Sequence, residues 1–303
     1  MPPRHLEYGY DVPRWPQLKH VRATGQFAEL INRFELWQLS APAFATTTFS
    51  DDRRSIELQL LVEREPPVDE WSLILGDILH NFASSLDSLA WALCALDGGV
   101  PKEPHRVYFP ADTKQSAWAG RAKVLASVPA EMLERLRIIQ PWTLPTPERS
   151  ILHLLKVMNV EDKHRQLIAV DTGLRGFQLP QLGEEFIRHV RVIENSENQF
   201  VTGHHIGRLE SPTPFPEHPR LDRLAVVPRI KVTVGADTWE LTALVGVMLQ
   251  LVEAVQEWVL RGEHRPPLML KASEVPVPNN PPGILIEPVY IDEADMRRAQ
   301  AGI

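Results

Sequence analysis

The apolar residues of the chain recur at two spacings, which predict two kinds of element. Spacings of three and four residues predict amphipathic helices, and strict alternation with polar residues predicts strands. Thr146 and Pro147 suit the start of one helix, and an Asp237-to-Glu240 capping box suits the start of another. The predicted helices lie within 24–39, 70–97, 113–165 and 238–260, and the predicted strands lie within 43–64 and 166–234.

The order of these elements is helices, then strands, then a closing helix. That order is typical of the α+β class rather than of a doubly wound parallel sheet. We therefore predict one domain over residues 1–265, a helical bundle with an antiparallel β-hairpin and β-sheet segments packed against it. Residues 1–20 are interpreted as an irregular lead-in. Residues 266–303 are interpreted as a proline-rich tail that is either extended and draped over the domain or loosely ordered.

Composition narrows the class of protein. The chain has 303 residues, of which 44% are hydrophobic, and a formal net charge of −7. That charge argues against a protein that coats nucleic acid. A single cysteine, Cys94, excludes an intramolecular disulfide and favours a reducing, cytoplasmic setting. No apolar run approaches the roughly 18 residues of a membrane span, so no membrane segment is predicted.

The predicted 70–97 helix carries the most concentrated chemical signal. From Trp71 to Pro101 there is no Lys, Arg or Glu, so we expect the helix to be covered on most sides. A helical wheel places polar residues on one face, which predicts either a packing network of hydrogen bonds or the wall of a site. These residues are Asp77, His80, Asn81, Ser84, Asp87 and Ser88.

A second polar cluster ends the predicted helix that begins near residue 147. The wheel turns Asn159 and Asp162 towards the apolar side of that helix. Lys163, His164 and Arg165 follow near its end, where cations also suit the negative end of the helix dipole. If the two clusters face each other, one polar pocket forms between the two helices.

The spacing of acids and histidines raises the possibility of a metal site. Asp77-x-x-His80 and Glu161-x-x-His164 repeat the carboxylate-x-x-His element of dinuclear helical bundles. About 1.4 such pairs are expected by chance in a chain of this composition, so the pattern does not favour a dinuclear site. The candidate metal ligands are Asp77, His80, Asp162 and His164.

The two clusters also resemble those of a known group. Residues 76–88, GDILHNFASSLDS, and residues 159–165, NVEDKHR, resemble an uncharacterised bacterial family with a G-D-x-x-H-N-x-R-S-x-L-D-H element and an N-x-x-D-K-H-R element. The chain departs from it at Ala83 and Ser88, where the group has Arg and His. The likeness covers about a tenth of the chain and implies no activity by itself.

More distantly, the helices resemble HEPN bundles, many of which cleave RNA or bind nucleotides. That resemblance implies action on RNA or a nucleotide. HEPN ribonucleases carry an Arg-x4–6-His motif on a late helix, with four to six residues between the Arg and the His. In this chain Asn159 stands five residues before His164.

Three functions follow as alternatives. The first is an HEPN-like protein acting on RNA or nucleotide, with His80 or His164 as general acid or base and with Lys163 and Arg165 on the phosphate. The second is a metal-dependent hydrolase or oxidase, and the third is a non-enzymatic binding or structural protein. The sequence does not identify a cofactor, and a homodimer is compatible with the apolar final helix. The candidate catalytic residues are Asp77, His80, Asp162 and His164, and the candidate binding residues are Asn81, Asp87, Asn159, Lys163 and Arg165.

Overall fold

The computed structural model of the chain describes ten segments, 4–5, 12–96, 100–164, 168–178, 191–194, 200–217, 221–235, 237–262, 269–275 and 283–289. The helices within them are α1 (Trp15–Leu39), α2 (Val68–Cys94), α3 (Trp118–Val124), α4 (Ala130–Ile138), α5 (Ile151–His164) and α6 (Leu241–Arg261). The strands are β1 (Arg4–His5), β2 (Val12–Pro13), β3 (Ala43–Phe49), β4 (Ser55–Val62), β5 (Val170–Gln178), β6 (Arg191–Glu194), β7 (His205–Glu210), β8 (Arg223–Val234), β9 (Asp237–Glu240), β10 (Met269–Val275) and β11 (Gly283–Val289). The α+β class is confirmed.

The largest sheet is antiparallel throughout its described strands. Its order is β5-β8-β3-β4-β7-β6, and β9 pairs with β8. The predicted 43–64 hairpin is confirmed as β3 and β4, with Ala45 opposite Leu60. The alternating residues Ile56, Leu58 and Leu60 are buried, so one face of β4 packs on the core as its pattern predicts.

Helices α1 and α2 run side by side and form the centre of the helical layer. Leu30, Phe34 and Trp37 of α1 are buried, and α2 buries Trp71 and Phe82 among others. The prediction that α1 begins at residue 24 is wrong, because the helix already begins at Trp15. Pro16 stands in its first turn, where a helix needs no backbone N–H.

Helix α6 closes the core. The sequence places its start near residue 238, but residues 237–240 form β9 instead. Glu240 is the N-cap, and its carboxylate accepts a hydrogen bond from the backbone N–H of Ala243 at 3.0 Å. The sequence predicts no membrane segment, but α6 is long and apolar enough to cross a membrane by length and composition alone. Half of its most apolar stretch is buried inside the fold.

The proline-rich tail is more regular than predicted. β10 and β11 pair antiparallel, with Lys271 opposite Glu287. These two strands are extended, so of the two alternatives for the tail loose order is wrong for them. β-branched residues such as Ile284 and Ile286 favour strand structure.

Candidate functional site

Helix α2 lies between α1 and α5, and the polar residues of all three helices meet along it. The closest approach is at Gly76 of α2, where the carboxylate of Asp162 from α5 packs against the backbone. A Cβ atom at Gly76 would lie 2.8 Å from Asp162 Oδ1 and 2.9 Å from Oδ2. Asp162 therefore faces α2, as the helical wheel predicts, and a glycine permits the contact.

The polar stripe of α2 divides into two parts. Its first part is a packing network with α1, in which Gln26 Nε2 donates to Asp77 Oδ2 at 3.2 Å. Asn81 Nδ2 donates to Gln26 Oε1 at 2.9 Å and to the Asp77 carbonyl at 3.0 Å. Gln26 itself is buried. These bonds favour a positioning and packing role for Asp77 and Asn81.

The second part of the stripe holds a lysine from α1. Lys19 Nζ donates to the hydroxyl of Ser88 at 3.0 Å and also to the hydroxyl of Ser84. Ser85, on the neighbouring face, donates to the Pro16 carbonyl at 2.6 Å and ties the start of α1 to α2. The early start of α1 is therefore what brings the Lys19 ammonium to the middle of α2.

His80 is exposed on the same face of α2, contrary to the expectation of a covered stripe; Asp77 is exposed as well. Partial burial lowers the pKa of His80 below its ordinary value, and the charges of Lys163 and Lys19 lower it further. Asp77 and Asp162 oppose this, but each acts more weakly than either lysine. His80 is thus a neutral imidazole at pH 7 in a locally positive setting.

A cavity of about 320 Å³ lies between α2, α5 and the segment before α3. Its walls are mostly apolar, with Asp87 and Asn159 among the few polar groups. The backbone N–H of Phe109 donates to Asp87 Oδ1 at 2.8 Å. Burial raises the pKa of Asp87, although this hydrogen bond and the nearby lysines act in the opposite direction. The lining residues that matter most are Leu86, Asp87, Tyr108, Phe109, Leu155 and Asn159.

The segment that carries Tyr108 and Phe109 is fixed by a buried carboxylate. Asp112 forms ion pairs with Arg121 at 3.2 Å and with Lys156 of α5 at 3.5 Å. The Arg121 guanidinium also lies over the Tyr108 ring, 4.1 Å from its centroid. These contacts hold one cavity wall against α5.

Sequence reasoning missed Lys19, because its segment has an irregular, proline-rich pattern. It also missed Gln26, whose partners Asp77 and Asn81 lie on a distant helix. It also missed Asp112 and Lys156, since ion pairs between distant segments leave no local pattern. Of the predicted set, the structure brings Asp77, His80, Asp162 and Lys163 close together around α2, and places Asp87 and Asn159 at the cavity. The His164 side chain and Arg165 lie outside the described residues.

The proposed metal site finds no support in the described side chains. Among them, no group of three or more His, Cys, Asp or Glu residues is arranged to hold a metal ion. Asp77, His80 and Asp162 therefore do not form such a group on their own. The fourth predicted ligand, His164, is not among the described side chains.

The electrostatic setting of His80 predicts a titration that NMR can follow. The folded chain lowers the pKa of His80 and so disfavours its protonated form. The stability that this residue contributes is therefore full above pH 6.5, the ordinary pKa of histidine, and is lost as the pH falls below that value. We expect the imidazole signal, identified by its loss in His80→Gln, to titrate below 6.5. Lys163→Met should raise the His80 pKa and Asp77→Asn should lower it. A His80 pKa above 6.5, or one unmoved in Lys163→Met, would contradict this setting.

Comparison with protein-family models, with curated proteins and with solved structures finds no match for the chain. The resemblances to the G-D-x-x-H-N group and to HEPN bundles therefore remain predictions.

Proposed function

We propose that the chain binds a nucleotide, free or at the end of an RNA, in the pocket between α2 and α5, and that His80 transfers a proton at its phosphate. The observation that carries this proposal is the positive setting of His80, with the Lys19 ammonium bonded to Ser84, one turn of α2 after His80. Lys19 comes from α1 and Lys163 from α5, and each acts on His80 more strongly than either nearby aspartate. Two ammonium groups around a neutral imidazole suit a phosphate.

The neighbouring cavity supports a ligand with an apolar part. Its volume of about 320 Å³ is at the lower end of the range for small-molecule sites. Apolar and aromatic walls with a few polar groups are typical of pockets that bury a flat ring. A phosphate at His80 and a ring in this cavity together describe a nucleotide.

His80 is suited to act as a general base. Its lowered pKa keeps it neutral at pH 7, so it can take the proton of a water or hydroxyl that attacks the phosphorus. As the new P–O bond forms, the bond to the leaving group breaks and the departing oxygen takes a proton from solvent. Such a base typically contributes about 10²- to 10⁴-fold to a rate.

Asp162 has a positioning role in this proposal. Its Oδ1 is buried against Gly76 and accepts no hydrogen bond from the described residues. The carboxylate therefore positions α5 against α2, as Asp77 positions α1 against α2.

The proposal agrees with two expectations from the sequence. It matches the activity that the HEPN-like resemblance implies. A cytoplasmic location is part of the same proposal, since Cys94 is a free, buried thiol and nucleotides are abundant there.

A second candidate is a binding module without catalysis. The Gln26–Asp77–Asn81 network favours it, because hydrogen bonds between α1 and α2 are what a purely structural stripe requires. The two candidates differ at His80. A binding module has no turnover, so His80→Gln has no activity to remove.

The test is calorimetric titration of the full chain with the four nucleoside monophosphates and with the matching nucleosides. We expect the monophosphates to bind at least ten-fold more tightly than the nucleosides, since only they reach both lysines. Turnover of a short RNA and of each nucleotide, followed by chromatography, should disappear in His80→Gln while affinity stays. Absence of any nucleotide binding would overturn the proposal, and binding without turnover would leave the binding module.

A further inference from the structure

Asp87 presents the cavity with a carboxylate that is only half satisfied. Its Oδ1 accepts the hydrogen bond from Phe109 N at 2.8 Å, and Oδ2 has no hydrogen bond with any residue that the structure describes. Leu86, Leu155 and Phe109 supply apolar wall around it. A carboxylate in such surroundings is stabilised by N–H donors brought by the occupant of the cavity. Burial of this carboxylate also raises the pKa of Asp87, because its charged form is poorly solvated there.

The shape of the cavity restricts the kind of donor. Tyr108 and Phe109 line it from the segment before α3, and Leu152 and Leu155 line it from α5. Aromatic and branched apolar walls suit a flat ring, against which they make extensive contact. An ammonium or guanidinium ligand would find few other polar partners there.

Among the nucleobases, only guanine carries two adjacent N–H donors on one edge, at N1 and at the 2-amino group. Adenine and cytosine place a lone pair beside their amino group, and uracil flanks its single N–H with two carbonyl oxygens. The carboxylate oxygens of Asp87 would repel those lone pairs and carbonyl oxygens. We infer that the cavity takes the guanine ring of the bound nucleotide, with Asp87 Oδ2 accepting from its N1–H and 2-amino edge.

The spacing along α2 fits one nucleotide. Asp87 follows His80 by seven residues, which is about 10 Å along a helix axis. The Lys19 ammonium lies between them, bonded to the hydroxyls of Ser84 and Ser88. A guanine at Asp87 thus leaves its phosphate near Lys19 and His80. The inference rests on the proposed function, because it names the base of the same ligand.

The test compares the affinities of GMP, AMP, CMP, UMP and XMP for the wild-type chain and for Asp87→Asn. We expect the wild type to bind GMP at least ten-fold more tightly than the other four. In Asp87→Asn the Phe109 N–H keeps the amide oxygen, so the amide NH₂ faces the cavity. GMP should then weaken by about ten-fold or more, and XMP, whose 2-oxo group accepts that NH₂, should gain. Asp69→Asn, an exposed change of equal charge on the same helix, should alter neither affinity.

The outcomes separate the two claims. Equal binding of all bases by the wild type would overturn the guanine inference and leave the proposed nucleotide site intact. Absence of binding by every nucleotide would overturn both. The ranking in the wild type decides the inference even if Asp87→Asn were to fold poorly, because it needs no variant.

Discussion

Replacing Lys19 and Lys163 together with methionine is expected to weaken the binding of nucleoside monophosphates by about 100-fold or more. Each lysine would give a charge-assisted hydrogen bond to the phosphate, and such bonds contribute about 1.5–3 kcal/mol each. Methionine keeps the apolar stem of the lysine, so packing against α2 is largely retained. Affinity for the uncharged nucleosides should change little. Titration calorimetry measures both affinities.

A matched control removes two positive charges elsewhere. Arg64 and Lys123 are exposed, one before α2 and one on α3. Arg64→Met with Lys123→Met should leave nucleotide affinity within a few-fold of wild type. Equal losses in both double variants would mean that net charge, and not the pair beside His80, attracts the ligand.

Replacing Gly76 with alanine is expected to destabilise the fold, although alanine is the better helix former. The new Cβ would lie 2.8 Å from Asp162 Oδ1, so α5 or its carboxylate must move. Overpacking of this kind costs about 1–3 kcal/mol. Urea denaturation measures the free energy of unfolding.

A double-variant cycle isolates the cause. In an Asp162→Ala background the clash is gone, so Gly76→Ala should become neutral or stabilising by about 0.5–1 kcal/mol. Gly25→Ala in α1 is the control, because a Cβ there meets no atom within 4 Å. If Gly76→Ala were as harmless as Gly25→Ala, Asp162 would not pack on α2.

The fold was predictable where one helix or hairpin carries its own pattern. α2 was found because its apolar residues keep helical spacing while Lys, Arg and Glu are absent. The hairpin of β3 and β4 was found because Ile56, Leu58 and Leu60 alternate with polar residues. The start of α1 was missed because Pro13 and Pro16 suggest irregular structure, although a proline in the first turn is compatible with a helix.

The candidate site was predictable only in part, because it depends on contacts between distant segments. The wheel turned Asp162 inward, and the structure places it on Gly76. No local pattern could bring Lys19 to Ser88, which lies 69 residues later, or Phe109 to Asp87. The absence of long charged residues from α2 predicts that the helix is buried. Around His80 the helix is instead exposed, flanked by cations from α1 and α5.

The most direct test of the central claim is the NMR signal of the His80 imidazole while GMP is added to the full chain at pH 7. A phosphate held between Lys19 and Lys163 should shift that signal to saturation. It should also raise the His80 pKa, because a nearby anion stabilises the imidazolium. A His80 signal and pKa that stay unchanged at millimolar GMP would contradict the account.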